Sequence, residues 1–309
     1  MSTAAPPRGV GAGRLTAVCD DVYSYVQPDG SWCLNNAGLV VGGDTAVLVD
    51  TVATRPRAER LRAEVAKVVP GGPGLVVNTH FHGDHHFGNS LFTPRATVVA
   101  HELARTEILR AGLGLTQLWP DVDWGDIELA PPTLTFRDSL RLHLGDLTAE
   151  LRHPGPAHTT NDTIVWIPER QVLFSGDIVM AGVTPFCLMG SVEGSVRTVR
   201  ELRSLGATTI VPGHGPVSGP SVLDDTEEYL LWIQRIAREG YEAGRTALET
   251  ARRADLGAFA RWLDPERVVG NVHRAYAELA GGSEGADLDI LVPFQEMAAY
   301  HGGMPTCHA

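Results

Sequence analysis

Within the stretch NTHFHGDHHFGNS, residues 78 to 90, the chain packs His80, His82, Asp84, His85 and His86 into seven positions. In an extended segment, side chains two apart share a face, so His80, His82 and Asp84 can point together. Gly83 permits a sharp turn, and Asp84 suits the N-cap of a helix beginning HHFGNSLF. Such a turn swings His85 toward the same cavity. Imidazole and carboxylate without thiolate are the ligand set of zinc, iron or manganese. One cluster cannot close a site alone. Further donors stand after apolar runs: His158 in HPGPAHTTND, Asp177 in VLFSGDIV and His214 in TIVPGHGP. A polar residue among glycines after a buried strand is a common place for a ligand loop. Taken singly, an H-x-H is most often a surface pair, and Asp177 or His214 an ordinary loop residue. The joint order is what carries the reading. His86 falls outside the pattern and is expected beside the site or exposed, and His101 is expected to be structural at a helix start.

The elements that must position these donors read as follows. AGLVVGGDTAVLVDT is a hairpin about Gly42, Gly43 and Asp44. Leu61, Val65 and Val68 repeat at helical spacing over residues 55 to 68. GLVVN and ATVVAH are buried strands, and ELARTEILRAG is a helix ending near Gly112. LTFRDSLRLHLGDLTAELRHPG predicts antiparallel strands, and TIVWIPERQVLFSGD a hairpin turning near Pro168 and Glu169. SVRTVRELRSLGATTIVPGHG is a helix, a strand and a glycine-rich loop; residues 221 to about 280 are mostly helical. Strands and helices alternate but many strands are joined by hairpins, which favours a mixed α/β sandwich over a doubly wound parallel sheet. Residues 1–14, small and rich in Pro and Gly, are expected to fray.

Composition narrows the class. The chain has 309 residues, 43% of them hydrophobic, ample for a large core. The net charge is −12, which argues against a nucleic-acid partner. Lys67 is the single lysine. No apolar run has the length of a signal-peptide core or a membrane span, so a cytoplasmic protein is expected, with no membrane partner. Cys19, Cys33, Cys187 and Cys307 are scattered and read as reduced structural thiols.

The order H-x-H-x-D-H, then His158, then Gly176-Asp177, then Gly213-His214-Gly215 resembles the metallo-β-lactamase superfamily over roughly residues 15 to 220. The resemblance implies an αββα sandwich with two metal ions, expected to be zinc, at one edge between the sheets. It implies a catalytic domain over 15–220 and a helical extension over 221–309 packed on it. It places His80, His82 and His158 on a first metal, Asp84, His85 and His214 on a second, and Asp177 between them, and it implies that Asp50, ending AVLVD, is an acidic corner that supports a ligand rather than being one. A metal pair lowers the pKa of water to near ~7 and polarises a carbonyl. Asp84 would then handle the water's proton. That chemistry suits an ester, thioester, amide or phosphodiester without choosing among them.

Within that superfamily, a secreted β-lactamase is disfavoured by the lack of a signal sequence, and a nuclease by the charge. A flavin-coupled di-iron enzyme is disfavoured because His82 stands where that group carries a glutamate. A dead binding protein would have lost ligands, and none is missing. The segments LTQLWPDVDWGDIELAPPTLTFRDSL, MAGVTPFCLMGSV and HGGMPTCHA resemble aromatic (type II) polyketide cyclase/thioesterases. The resemblance implies aldol ring closure and dehydration of a poly-β-ketone held on an acyl carrier protein, then hydrolytic release. A glyoxalase II-like thioester hydrolase, or another small-molecule metallo-hydrolase, is the alternative. Leu118, Trp119, Trp124, Phe186 and Met189 are candidate walls for a flat substrate. Arg105, Arg110, Arg197, Arg200 and Arg203 are candidates for docking an acidic carrier.

Overall fold

A computed structural model describes residues 13–309. Most of the expected frayed terminus lies outside the described residues, and Arg14 already stands in the first strand. Seven strands form one sheet in the order β1 (Arg14–Cys19), β2 (Val22–Val26), β3 (Ala37–Gly42), β4 (Thr45–Val49), β5 (Leu75–Val77), β6 (Thr97–His101) and β7 (Leu134–Phe136). Strands β1 to β4 are antiparallel, and β4 to β7 run parallel. The second sheet has the order β12 (Thr209–His214), β11 (Val172–Met180), β10 (Ile164–Ile167), β9 (Leu147–Arg152) and β8 (Ser139–Leu144). Only its β11–β12 pair is parallel.

Alternation along the strands builds the layers. On β4, Val47 and Val49 pack with Leu151, Val165 and Phe174 of the other sheet, while Ala46 and Leu48 pack outward with Leu61 and Val65. Those two belong to helix α1 (Arg55–Val68), which opens with Pro56 in its first turn, where the missing N–H costs nothing. Each fully buried Leu or Val contributes ~1.5–3 kcal/mol. On the other face, Trp166, Leu173 and Ile210 pack against helix α4 (Val192–Ser204), α5 (Ser221–Glu242) and α7 (Arg267–Leu279). Ser191 caps α4 by accepting from the Gly194 N–H at 2.8 Å. The result is the expected αββα sandwich, with α6 (Ala247–Arg253) and α8 (Leu291–His301) completing a helical layer on the second sheet.

The hairpin at Gly43 and Asp44 is closed by the pair Gly42 and Thr45, with Gly43 at φ +58°. Two expectations change. The strand LTF does not pair with β8; β7 lies parallel to β6, so the chain changes sheets between Phe136 and Ser139. Helix α8 falls within the helical extension expected over 221–309. Asp84 is not an N-cap: α2 (Gly83–His86) starts after His82, and Asp84 sits inside its first turn. Among the described residues no helix is long and apolar enough to cross a membrane.

Candidate metal centre

All seven expected donors meet at one edge of the sandwich. His80 and His82 lie in the loop after β5, Asp84 and His85 on α2, and His158 in the loop between β9 and β10. Asp177 lies inside β11, just after a register shift at Gly176, and His214 ends β12. Both sheets therefore contribute. The donor atoms form two groups, His80, His82, His158 and Asp177, and Asp84, His85 and His214, each with its atoms within 4.8 Å of one another.

The spacing inside the groups is that of ligands. His82 Nδ1 lies 3.1 Å from His80 Nε2 and 2.9 Å from His158 Nε2. Asp177 Oδ2 lies 3.8, 3.5 and 3.4 Å from Nε2 of His80, His158 and His214, and Oδ1 lies 3.1 Å from His85 Nε2. Asp84 Oδ2 is 3.4 Å from His214 Nε2. Donors held tetrahedrally at ~2.0–2.1 Å from a cation stand ~3.3 Å apart, within this range.

The surrounding hydrogen bonds fix which nitrogen faces inward. Carbonyl and carboxylate oxygens only accept, so the imidazole nitrogen touching one must carry the proton. His158 Nδ1 donates to Phe186 O, His214 Nδ1 to Gly30 O at 2.8 Å, and His85 Nδ1 to Asp50 Oδ2 at 2.8 Å. Thr79 Oγ1 donates to Asp50 Oδ2 at 2.7 Å and so accepts from His80 Nδ1 at 3.0 Å. The four Nε2 atoms are left as lone pairs in the neutral rings. His85 Nε2 and Asp177 Oδ1 are buried without a hydrogen-bond partner. Converging lone pairs and carboxylates with orphaned buried atoms fit a cation pair. Asp50 is a hub at φ +59° that also accepts from the Thr79 N–H at 2.7 Å, the supporting place expected for it. Thr79, its relay to His80, was missed in the sequence; no motif marks it.

Electrostatics agree with that reading. Burial pushes His80 well down, His82 to about 3 and His158 to about 4. Burial opposes charge on His85 and His214 too, but Asp177 and Asp84 outweigh it, holding His85 well above the ordinary value and His214 up at about 9. Burial would likewise raise Asp84 and Asp177, yet the facing imidazoles hold both well below the usual carboxylate range. Backbone closeness adds a further constraint: a Cβ at Gly213 would stand 1.8 Å from Asp177 Oδ1.

Five of the donors, His82, Asp84, His158, Asp177 and His214, floor a cavity of about 820 Å³. Asp84 is 7% exposed and faces it. Leu118, Phe186 and Met189 line it as expected. Trp119 and Trp124 do not; they pack behind the wall with Phe87 and Cys33, Trp119 donating to Pro305 O at 2.6 Å. Trp32, Arg267, Arg274, Leu291 and Phe294 line the cavity and were missed. One signal was present: Arg267, Asn271 and Arg274 recur at i, i+4 and i+7, polar residues on a helix face that is buried. His86 is buried on the cavity wall with Nδ1 unpartnered, in neither donor group. His101 caps α3 (Glu102–Ala111) and stacks on His153 at 3.9 Å. Cys307 packs in the same cluster as Cys33, and all four cysteines are free.

The docking arginines are mostly answered by nearby acids. Arg197 pairs with Glu284, Arg200 with Glu227, Arg203 with Asp224 and Glu227, and Arg110 with Glu107, while Arg105 donates to Pro132 O. Ion pairs of this kind are common on solvated helix faces.

The comparisons agree with the geometry. The family model described as metallo-beta-lactamase superfamily matches residues 30–214. The chain is 30% identical over 207 residues to 2,4-dinitroanisole O-demethylase subunit alpha of Nocardioides sp. (strain JS1661), covering 65% of this chain and 55% of that one. The chain thus spans little more than half the length of that relative. It is 26% identical to the human acyl-coenzyme A thioesterase MBLAC2, over 58% of this chain and 72% of the relative. A solved metallo-beta-lactamase from Pontibacter korlensis superposes with TM-score 0.59 at 22% identity, covering 71% of this chain and 99% of that one. With its donors, its two sheets and its family match in agreement, the chain belongs to the metallo-β-lactamase superfamily.

Proposed function

We propose that the chain is a dinuclear zinc hydrolase that releases an aromatic polyketide acid from its acyl carrier thioester, with aldol ring closure and dehydration preceding release. The observation that carries the reading is the cavity: its floor is the donor cluster, and its walls include Trp32, Phe81, Phe186, Leu118 and Phe294. Such walls suit a flat apolar acyl group, whereas glutathione is polar and charged throughout. The thioesterase name of the human relative supports the bond type. The demethylase name supports an aromatic substrate for a chain with this sandwich.

His80, His82 and His158 would hold one ion, Asp84, His85 and His214 the other, with Asp177 between them. When bound, the pair supplies Lewis acidity and water acidified to near ~7. Asp84, on the cavity floor, would take the proton from the attacking water and return it to the departing thiolate. Asp50 and Thr79 hold the Nδ1 protons of His85 and His80, which turns their Nε2 atoms inward. Thioester and water give acid and thiol.

The test joins metal analysis with cleavage of an aromatic β-ketoacyl thioester and of a glutathione thioester, for wild type and Asp84→Ala. Two zinc ions per chain, with cleavage of the aromatic thioester abolished by Asp84→Ala, support the reading. Preference for the glutathione thioester moves the protein to the glyoxalase II-like alternative. No metal and no cleavage of either thioester refutes both.

A further inference from the structure

Two buried arginines line the cavity, and they differ in how their charge is met. Arg267 Nη2 forms an ion pair with Asp264 Oδ2 at 2.8 Å, and the side chain reaches Thr184 O at 3.2 Å through Nη1 and lies 4.1 Å over the Trp32 ring. Its charge is answered inside the protein. Arg274 is equally buried, 2% exposed, yet among the described residues no carboxylate lies within ion-pair distance. Its bonds go to carbonyls only: Nε and Nη2 to Leu188 O at 2.9 and 2.7 Å, and Nη1 to Ala286 O at 2.8 Å. The nearest acids are Glu278 and Asp287. Glu278 is committed elsewhere, its oxygens accepting from the Val192 and Glu193 N–H groups at 2.9 and 3.3 Å at the start of α4. A guanidinium has five N–H donors, so two remain uncommitted. A buried cation without a partner is costly unless something supplies the counter-charge.

The position is as informative as the charge. Leu188, whose carbonyl Arg274 grips, is followed by Met189, and Met189 Sδ lies 3.4 Å from His82 Nε2. Arg274 is therefore linked to the donor His82 through Leu188 and Met189 along the cavity wall. It comes from α7, beyond the residues 30–214 that the family model matches.

We propose that Arg274 is a specificity-determining residue that binds an anionic oxygen on the acyl part of the substrate, an ionised β-diketone or carboxylate remote from the scissile thioester. The substrate class is thus an acidic aromatic acyl thioester rather than a neutral one. The assignment rests on the proposed function for the word thioester, but not for the anion.

Two measurements separate those claims. In the first, chelated, metal-free protein is titrated with a naphthoate and with its methyl ester, and the melting temperature is followed for wild type, Arg274→Lys and Arg274→Met. Wild type is expected to gain more from the acid than from the ester. Arg274→Met should lose that difference, and Arg274→Lys should keep part of it. In the second, kcat/KM is compared for a pair of aromatic thioesters that differ only in a free or methylated acidic oxygen. The acid-to-ester ratio is expected to fall about tenfold or more in Arg274→Met. If wild type does not distinguish acid from ester in the titration, the proposal is wrong. If Arg274→Met lowers both substrates equally and leaves the titration difference intact, Arg274 only ties the Leu188 and Ala286 loops together, and the proposal is again wrong. If the titration difference is present and lost in Arg274→Met while no aromatic thioester is cleaved, the anion site stands and the thioesterase reading falls.

Discussion

The two ends of the cavity are built by opposite methods. At the floor, four of the seven donors are held from behind: Asp50, Thr79, Gly30 O and Phe186 O fix His85, His80, His214 and His158, so little is free to adjust. At the far wall, α8 offers apolar side chains with few polar anchors, and Leu291 is 62% exposed. Floor donors come from residues 80 to 214, the far wall from helices beyond them. The difference teaches where tolerance lies. A donor moved by half an ångström loses its partner, whereas a wall residue exchanged for another apolar one changes only the fit. Chemistry belongs to the floor, and selection among substrates to the wall.

That division can be broken most severely at Asp177, whose two oxygens face both donor groups. Asp177→Ala is expected to remove both ions and reduce thioester cleavage to background, read by metal analysis and turnover on one sample. Cleavage at near wild-type rate would mean that the floor is not the chemical site.

The next effect is pH dependence of metal uptake. In the metal-free chain His214 is held up at about 9 and His85 well above the ordinary value. Both therefore carry protons at neutral pH, and a cation must displace them. Affinity should fall as pH falls below about 9, by up to about 100-fold per unit where two protons are exchanged. Calorimetry in buffers of different ionisation enthalpy counts those protons. Binding of an acid at the wall should be flat over the same range, since arginine does not titrate there. Equal pH dependence at both ends would erase the contrast.

A smaller effect is expected one layer behind the donors. Asp50→Asn keeps the shape but weakens its grip on His85 and Thr79, and metal affinity should drop about 10–100-fold. Competition with a chromogenic chelator measures it, and unchanged affinity would show that the ligands need no such support. The smallest effect belongs to the wall. Phe294→Ala should leave metal content intact and lower kcat/KM for an aromatic thioester about tenfold, with a short acyl thioester nearly unaffected. If metal is lost as well, the two ends are not separable.

The floor was legible in the sequence because its residues are rare types in a fixed order on loops after apolar strands. The sandwich was legible because Val47 and Val49 alternate with Ala46 and Leu48, and because helix α1 shows its stripe plainly. The far wall was not. Trp119 and Trp124 looked like pocket residues, since aromatic side chains in irregular segments give no sign of which way they face. Arg267 and Arg274 resembled the surface arginines of α4, and only packing against the second-sheet side shows them buried. The strand β7 was misassigned to its neighbours in sequence, because three residues carry no record of the sheet they join.

Gly213 illustrates how a protein can be most vulnerable where it has least chemistry. It binds nothing, yet the space a methyl group would need is already filled by an oxygen of the shared carboxylate. A directed-evolution library that spares the seven donors and randomises the loops around them would spend its diversity badly at this codon. Residue 213 is better held fixed along with the donors.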